Sequence, residues 1–283
     1  MAEPTKSGTF PGEAGVEIHW QCWLPAEKPR AVVVIAHGVS EHADRYSHVA
    51  ARLVKDGYAA YALDHRGHGR SGGKRAVVDR LARAVADLDT LIGMARAEQP
   101  DVKLFLLGHS MGGAISLEYA IEHQDRIDGL VLSAPAAALE AANPLELAAG
   151  RVLSVVAPNA GVFPVDSSTI SRDPEVVRAY DEDPMVFHRK LPARTVSELA
   201  GAIKTFPERT PGLELPLLVM VGTADELVPP EASHMVHDRA GSDDKRLISY
   251  PGLYHEILNE PEQDQVMDDL VAWLDAHLQL PPI

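Results

Sequence analysis

A mostly parallel β-sheet with helices on both faces is the fold class that this sequence predicts, and three observations predict it. Short runs dominated by Val, Leu and Ala occur at Ala31–Ala36, Ala59–Leu63, Lys103–Leu107, Gly129–Ser133 and Leu217–Val221. Runs so apolar suit strands covered on both sides, as central parallel strands are. Between them fall Tyr46–Lys55, Asp79–Glu98, Met111–His123 and Glu231–Ala240, with apolar residues at three- and four-residue spacing. Gly57 and Pro100 close the first two of these helices. Alternating strands and helices give an α/β architecture. The third observation is one strand–helix joint, Gly108-His109-Ser110-Met111-Gly112, where a serine sits between glycines.

The remaining elements follow from the same periodicities. Val16, Ile18, Trp20 and Cys22 alternate with Glu17, His19 and Gln21, which predicts an opening antiparallel strand at the sheet edge with Cys22 half-buried. Lys245–Tyr250 reads as the last strand and Gln263–His277 as the final helix. From Ala136 to Gly212 no strand run occurs, and prolines 144, 158, 164, 174, 184, 192, 207 and 211 punctuate short helical pieces. The expected organisation is therefore a core of residues 1–135 and 213–283, with 136–212 inserted as a lid. Within the lid, Pro144–Val156 is strongly apolar yet carries Glu146 and Arg151, so it is no membrane span. It either caps an apolar tunnel or packs as an ordinary helix, since apolar stripes at helical spacing usually face a core.

Composition narrows the classes of function. The 283 residues, 46% of them apolar, suffice for one large domain with an insertion. A formal charge of −15 gives nucleic acid and anionic membrane surfaces little to attract. A neutral substrate meets no such penalty. The single cysteine excludes an intramolecular disulfide and a cysteine-built metal site, as fits a reducing compartment. The first residues lack an apolar segment of signal-peptide length, and no window reaches about 18 uninterrupted apolar residues. A soluble, cytoplasmic protein is expected, with at most transient peripheral membrane contact through the lid. Metal chemistry is not expected, because no His-Glu-x-x-His pattern or comparable acidic cluster accompanies the 13 histidines.

The serine at the joint points to nucleophilic chemistry. A serine on a sharp strand-to-helix turn takes a strained backbone conformation that lifts its hydroxyl above the sheet, and Gly108 and Gly112 leave room for the two arms. Acyl transfer further needs a base for the hydroxyl proton and a carboxylate to orient that base. Asp225 lies just beyond the carboxyl end of Leu217–Val221, where catalytic groups gather in open α/β sheets, with Glu226 its nearest competitor. His255 follows the last strand and precedes the final helix, completing the order Ser…Asp…His. His234 and His237 read instead as helix-surface residues. Two backbone N–H groups would serve the oxyanion: that of Met111 at the start of a helix and that of Val39 in the loop His37–His42. A serine at this position argues against epoxide and haloalkane hydrolases, which need a carboxylate there.

Together, His37-Gly38, Glu41-His42, Asp64-His65-Arg66-Gly67-His68-Gly69-Arg70-Ser71, Gly108–Gly113, Asp225 and His255 resemble the α/β-hydrolase family, and within it the monoacylglycerol lipases of bacterial, mycobacterial type. The resemblance runs from about Val16 to His277, and it includes Ile170–Val177 and Tyr250–Glu256. It implies Ser110 as nucleophile, His255 as general base and then acid, Asp225 as its orienter, and the Val39 and Met111 amides as oxyanion hole. It also implies the substrate class, a fatty acyl ester of glycerol, with no cofactor. Glu41 and Arg45 match positions that contact glycerol in such lipases, their plainer reading being a surface salt bridge beside the site. One histidine typical of the family, three residues after the catalytic one, is Leu258 here. The Asp64–Ser71 loop reads as architectural, bracing the serine turn. A general carboxylesterase or lysophospholipase using the same triad is the alternative within enzymes, and a noncatalytic ligand-binding homologue the alternative outside them.

Overall fold

The computed structural model describes residues 3–138 and 151–278. Eight strands form one sheet: β1 (Lys6–Pro11), β2 (Glu17–Trp23), β3 (Ala31–Ala36), β4 (Ala59–Leu63), β5 (Lys103–His109), β6 (Gly129–Ser133), β9 (Leu217–Gly222) and β10 (Lys245–Tyr250). Their spatial order is β1-β2-β4-β3-β5-β6-β9-β10. From β4 onward every pairing is parallel, while β2 runs antiparallel to both β1 and β4. The α/β fold is thus as expected, with one change at its edge. β2 is the second strand, because the polar segment Lys6–Pro11 pairs alongside it and takes the rim. Covered in this way, Cys22 is fully buried rather than half-buried.

The unbroken apolar runs have a direct cause, since successive side chains enter two different cores. Val32 and Val34 of β3 face one core, with α2 (Leu81–Glu98) and α3 (Ser110–His123), while Val33 and Ile35 face the other, with α1 (Ser47–Lys55) and the C-terminal helix Gln263–Leu278. Leu106 and Leu107 of β5 divide in the same manner. A strand buried on both faces has no place for a polar residue.

Between β6 and β9 the chain leaves the sheet. The insertion holds α4 (Pro174–Glu182), α5 (Ala193–Ile203) and α6 (Phe206–Arg209), and also a small antiparallel ribbon of β7 (Gly161–Phe163) and β8 (Leu191–Pro192) that the proline-broken pattern did not predict. Asp173 caps α4 by accepting from the Glu175 N–H, with Pro174 preset for the first turn. Leu199, Ile203 and Phe206 join the α2–α3 core, whereas Ile170, Tyr180 and Val186 form a small core of their own. The apolar stretch Pro144–Val156 lies outside the described residues up to 150. Residues 151–156 are helical and leave Val152, Val155 and Val156 at 62, 73 and 72% exposure, so this end does not pack as a core helix.

Candidate active site

The sheet ends place Ser110, His255, Val39, Met111 and Glu41 around one cavity, with Asp225 and Arg45 outside its lining. Ser110 sits where β5 becomes α3, with φ of 52°, in the left-handed region that costs a non-glycine residue strain. A Cβ at Gly108 would collide with the Ser116 hydroxyl, and one at Gly112 with the Ala36 carbonyl of β3. The two glycines therefore hold the turn against its neighbours, as the sequence suggested. The chain then closes over the turn through the Ala136 N–H, which donates to the Ser110 carbonyl at 3.0 Å.

Asp225 and His255 arrive from the ends of β9 and β10. The Asp225 Oδ1 accepts from the backbone N–H groups of Leu227 and Val228, both at 2.9 Å, which fixes the carboxylate and aims Oδ2 at His255. His255 Nδ1–H donates to that oxygen at 2.7 Å, leaving Nε2 as the acceptor. Both groups are buried, while Glu226 is exposed and takes no part. Burial pulls the His255 pKa down, but the Asp225 charge and hydrogen bond, helped by Glu256 and Glu41, outweigh it and raise the pKa above the ordinary value. Ser110 and His255 line the same cavity. No hydrogen bond joins them in this geometry, and such contacts commonly tighten only around a reacting carbonyl.

The loop after β3 forms the opposite wall. Val39 and Met111 both line the cavity. Met111 lies in the first turn of α3, where backbone N–H groups have no intrahelical acceptor. The Gly38 N–H next to Val39 is taken by Glu41 Oε1 at 2.5 Å, so that carboxylate braces the loop. Glu41 also accepts from the Tyr46 hydroxyl at 2.8 Å and from Arg45 at 2.6 Å. Arg45 reaches across to Glu256 with two hydrogen bonds of 2.7 Å and lies over the Tyr180 ring, 4.8 Å from its centre. The Glu41–Arg45 pair is therefore not the surface salt bridge of its plainer reading but part of a buried carboxylate–guanidinium–carboxylate network: Glu41 is 2% exposed and Glu256 6%. Glu256 and Tyr180 line the cavity without having been singled out in the sequence. Adjacency to His255 is the one sequence signal that could have found Glu256.

Next to His255 stands His109, with ring centres 4.7 Å apart. Burial lowers the His109 pKa to about 4, with the facing His255 adding to the shift, so a neutral ring packs against the base. Leu258 is buried in the core with α1 and the C-terminal helix, and its carbonyl meets His48 Nε2 at 2.9 Å. His234 is exposed and His237 partly so on the helix Pro230–Arg239, as expected. The cavity has a volume of about 140 Å³, and away from Ser110 its walls are apolar: Phe163, Val165, Leu191, Val196, Leu199 and Ile203. The arrangement can therefore remove a proton from a serine, shelter a developing oxyanion and receive an apolar chain.

A family model described as serine aminopeptidase, S33, matches residues 27–262. The monoacylglycerol lipase of Mycolicibacterium smegmatis is 46% identical over 280 residues, 98% of this chain and all of that one. This chain belongs to the S33 family of α/β-hydrolases. Human monoglyceride lipase is 34% identical over 256 residues, covering 89% of this chain and 84% of its own. The crystal structure of Paleococcus ferrophilus monoacylglycerol lipase superposes with a TM-score of 0.82 at 31% identity, over 92% of this chain and 99% of that one. Among the described residues of this S33 member, no group of His, Cys, Asp or Glu could hold a metal ion, and no helix is long and apolar enough to cross a membrane.

Proposed function

We propose that this chain is a serine hydrolase that cleaves monoacylglycerols to a fatty acid and glycerol through an acyl-enzyme. The observation that carries the reading is the composition of the cavity: apolar walls lead to Ser110 and His255, beside which Glu41 and Glu256, joined through Arg45, supply a polar wall. An acyl tail fits the former and a small polyol the latter. The relatives named as monoacylglycerol lipases support the substrate class.

In this mechanism Ser110 Oγ attacks the ester carbonyl while His255 Nε2 takes its proton. Asp225 holds the imidazole in the tautomer with Nδ1–H and stabilises the imidazolium. The Val39 and Met111 N–H groups receive the oxyanion. His255 then protonates the departing glycerol oxygen, and water attacks the acyl-enzyme with the same imidazole as base. Residues 136–212 serve as a lid over the tail. Glu41 shapes the oxyanion loop from beneath, and Arg45 sets Glu41 and Glu256 in place for the glycerol hydroxyls.

A rate comparison of 1-acylglycerol, 4-nitrophenyl esters, diacylglycerol and lysophosphatidylcholine tests the reading. The highest kcat/KM is expected for 1-acylglycerol; a higher value for lysophosphatidylcholine or diacylglycerol replaces it with the corresponding lipase. The exposed Val155 and Val156 further support peripheral contact with lipid aggregates. Val155→Ser/Val156→Ser is expected to reduce co-sedimentation with neutral phosphatidylcholine liposomes, and unchanged co-sedimentation rejects that contact.

A further inference from the structure

The chain has 41 acidic and 26 basic residues, and many of its arginines are paired with carboxylates. One recess breaks that pattern. It opens between residues 74–77, in the loop following β4, and the insertion, with a volume of about 540 Å³. Lys74, Arg75, Arg189 and Lys190 line it, with Asn159 and Gly161, and no described lining residue is Asp or Glu. Arg75 donates to the Gly69 carbonyl at 2.9 Å and the Met185 carbonyl at 2.5 Å, which ties the two walls together and leaves its charge uncompensated. The side chains of Lys74, Arg189 and Lys190 form no ion pair with a described carboxylate.

Four cations in one concavity reinforce one another's potential, and concave walls focus it. On a chain of net charge −15 the surface as a whole disfavours anions, so this recess is a local exception. Two guanidiniums and two ammoniums suit a multivalent oxyanion: guanidinium forks match phosphate oxygens in pairs, and lysines add point charge. The recess also shares a wall with the catalytic cavity. Along the ribbon, Gly161, Lys190 and Pro192 face the recess, whereas Phe163 and Leu191 face the catalytic cavity. Val162 and Phe163 on the same ribbon are 37 and 48% exposed, which sets apolar surface beside the cations.

We propose that this recess is a binding site for a phosphate group, held among Lys74, Arg75, Arg189 and Lys190. The phosphate is either that of a small soluble phosphate compound or the headgroup of a phospholipid whose tails lie against Val162. The site is separate from Ser110, so the test reads binding and does not require the proposed hydrolysis.

Calorimetric titration of the full chain with inorganic phosphate at low ionic strength is one arm, and flotation with vesicles of phosphatidylcholine, with or without phosphatidylglycerol, is the other. Saturable phosphate binding that weakens at least tenfold in Lys74→Gln/Arg189→Gln/Lys190→Gln supports the site with a soluble ligand. Flotation that requires phosphatidylglycerol and is lost in the same variant supports it with a lipid headgroup. Lys55→Gln/Lys204→Gln/Arg246→Gln, which removes equal charge from exposed positions outside the recess, is expected to bind as the unsubstituted chain does. Absence of binding in both arms, or equal loss in the two triple variants, overturns the proposal. Should the first triple variant fail to fold, Arg189→Gln and Lys190→Gln singly are each expected to weaken binding severalfold, and unchanged binding in both overturns it equally.

Discussion

Buried histidines surround the Ser110 turn, and His255 is pushed in the opposite direction from the others. On one side His255 gives its Nδ1–H to Asp225, and its pKa is raised despite burial. On the other, His37, His65 and His68 pack at the ends of β3 and β4, with ring centres 4.5 and 5.5 Å from His37 to the other two. Burial lowers His37 to about 4 and His68 to about 3, and takes His65 well below its ordinary value. A carboxylate is present on both sides. Asp64 stands near His37, but its oxygens accept from the N–H groups of Ala43 and Arg70 at 2.8 Å. Asp225 gives one oxygen to backbone N–H groups and keeps the other for its histidine. His37 meanwhile donates from Nδ1 to the Gly38 carbonyl and accepts the His65 N–H at Nε2, bonds that only a neutral ring can make together. The difference teaches that hydrogen-bond allocation, more than burial or a nearby charge, decides whether an imidazole is kept basic for chemistry or neutral for architecture.

The largest way to break this contrast is to remove the carboxylate that makes His255 basic. Asp225→Asn leaves the packing intact but favours the wrong tautomer, and kcat on a monoacylglycerol is expected to fall about 10³–10⁴-fold. A loss under tenfold would mean that another group orients His255. Asp64→Asn is expected to act mainly on stability, lowering the unfolding temperature with a much smaller change in kcat.

Next in size are the opposite responses to pH. His37, His65, His68 and His109 have folded pKa values below the unfolded value of about 6.5, so the unfolded chain binds more protons in that interval. Their contribution to stability is fully present above about pH 6.5 and is lost as pH falls towards 4, at up to about 1.4 kcal/mol per pH unit for each histidine. His255 has the reverse sign: its contribution is present below about pH 6.5 and lost as pH rises through its raised pKa. His48, lowered mainly by burial, acts in the same direction, and one histidine against five leaves a net acid loss, seen as an unfolding temperature that drops between pH 7 and 5. Because catalysis needs neutral His255, kcat/KM is expected to rise with pH around a midpoint above 6.5. A midpoint at or below 6.5, or a flat unfolding temperature over the acid range, contradicts the assignment of the two groups.

The smallest effect sharpens the same contrast. Glu41 raises the His255 pKa from a distance and braces the Gly38 N–H. Glu41→Gln is expected to lower kcat/KM about tenfold and to move its pH midpoint downward, which simple loosening of the loop would not do. An unmoved midpoint would assign Glu41 to structure alone.

Much of this was readable from the chain itself. Strands such as β3 and β5 declare themselves because both faces are buried, and Asp225 and His255 stand at strand ends where an α/β sheet gathers its chemistry. What escaped detection depends on partners far away in sequence. β1 has a single well-buried side chain, Phe10, and owes its form to pairing with β2. The ribbon strands β7 and β8 span three and two residues, too few for a period. Glu256 looks like any loop carboxylate until Arg45, 211 positions earlier, reaches it.

The central claim is that Ser110 is the nucleophile set going by His255. It is tested most directly by treating the protein with a fluorophosphonate probe and mapping the adduct by intact-mass and peptide mass spectrometry. A single adduct on Ser110, absent from Ser110→Ala and strongly slowed in His255→Ala, is the predicted result. An adduct that persists in Ser110→Ala, or forms at an undiminished rate without His255, would contradict it.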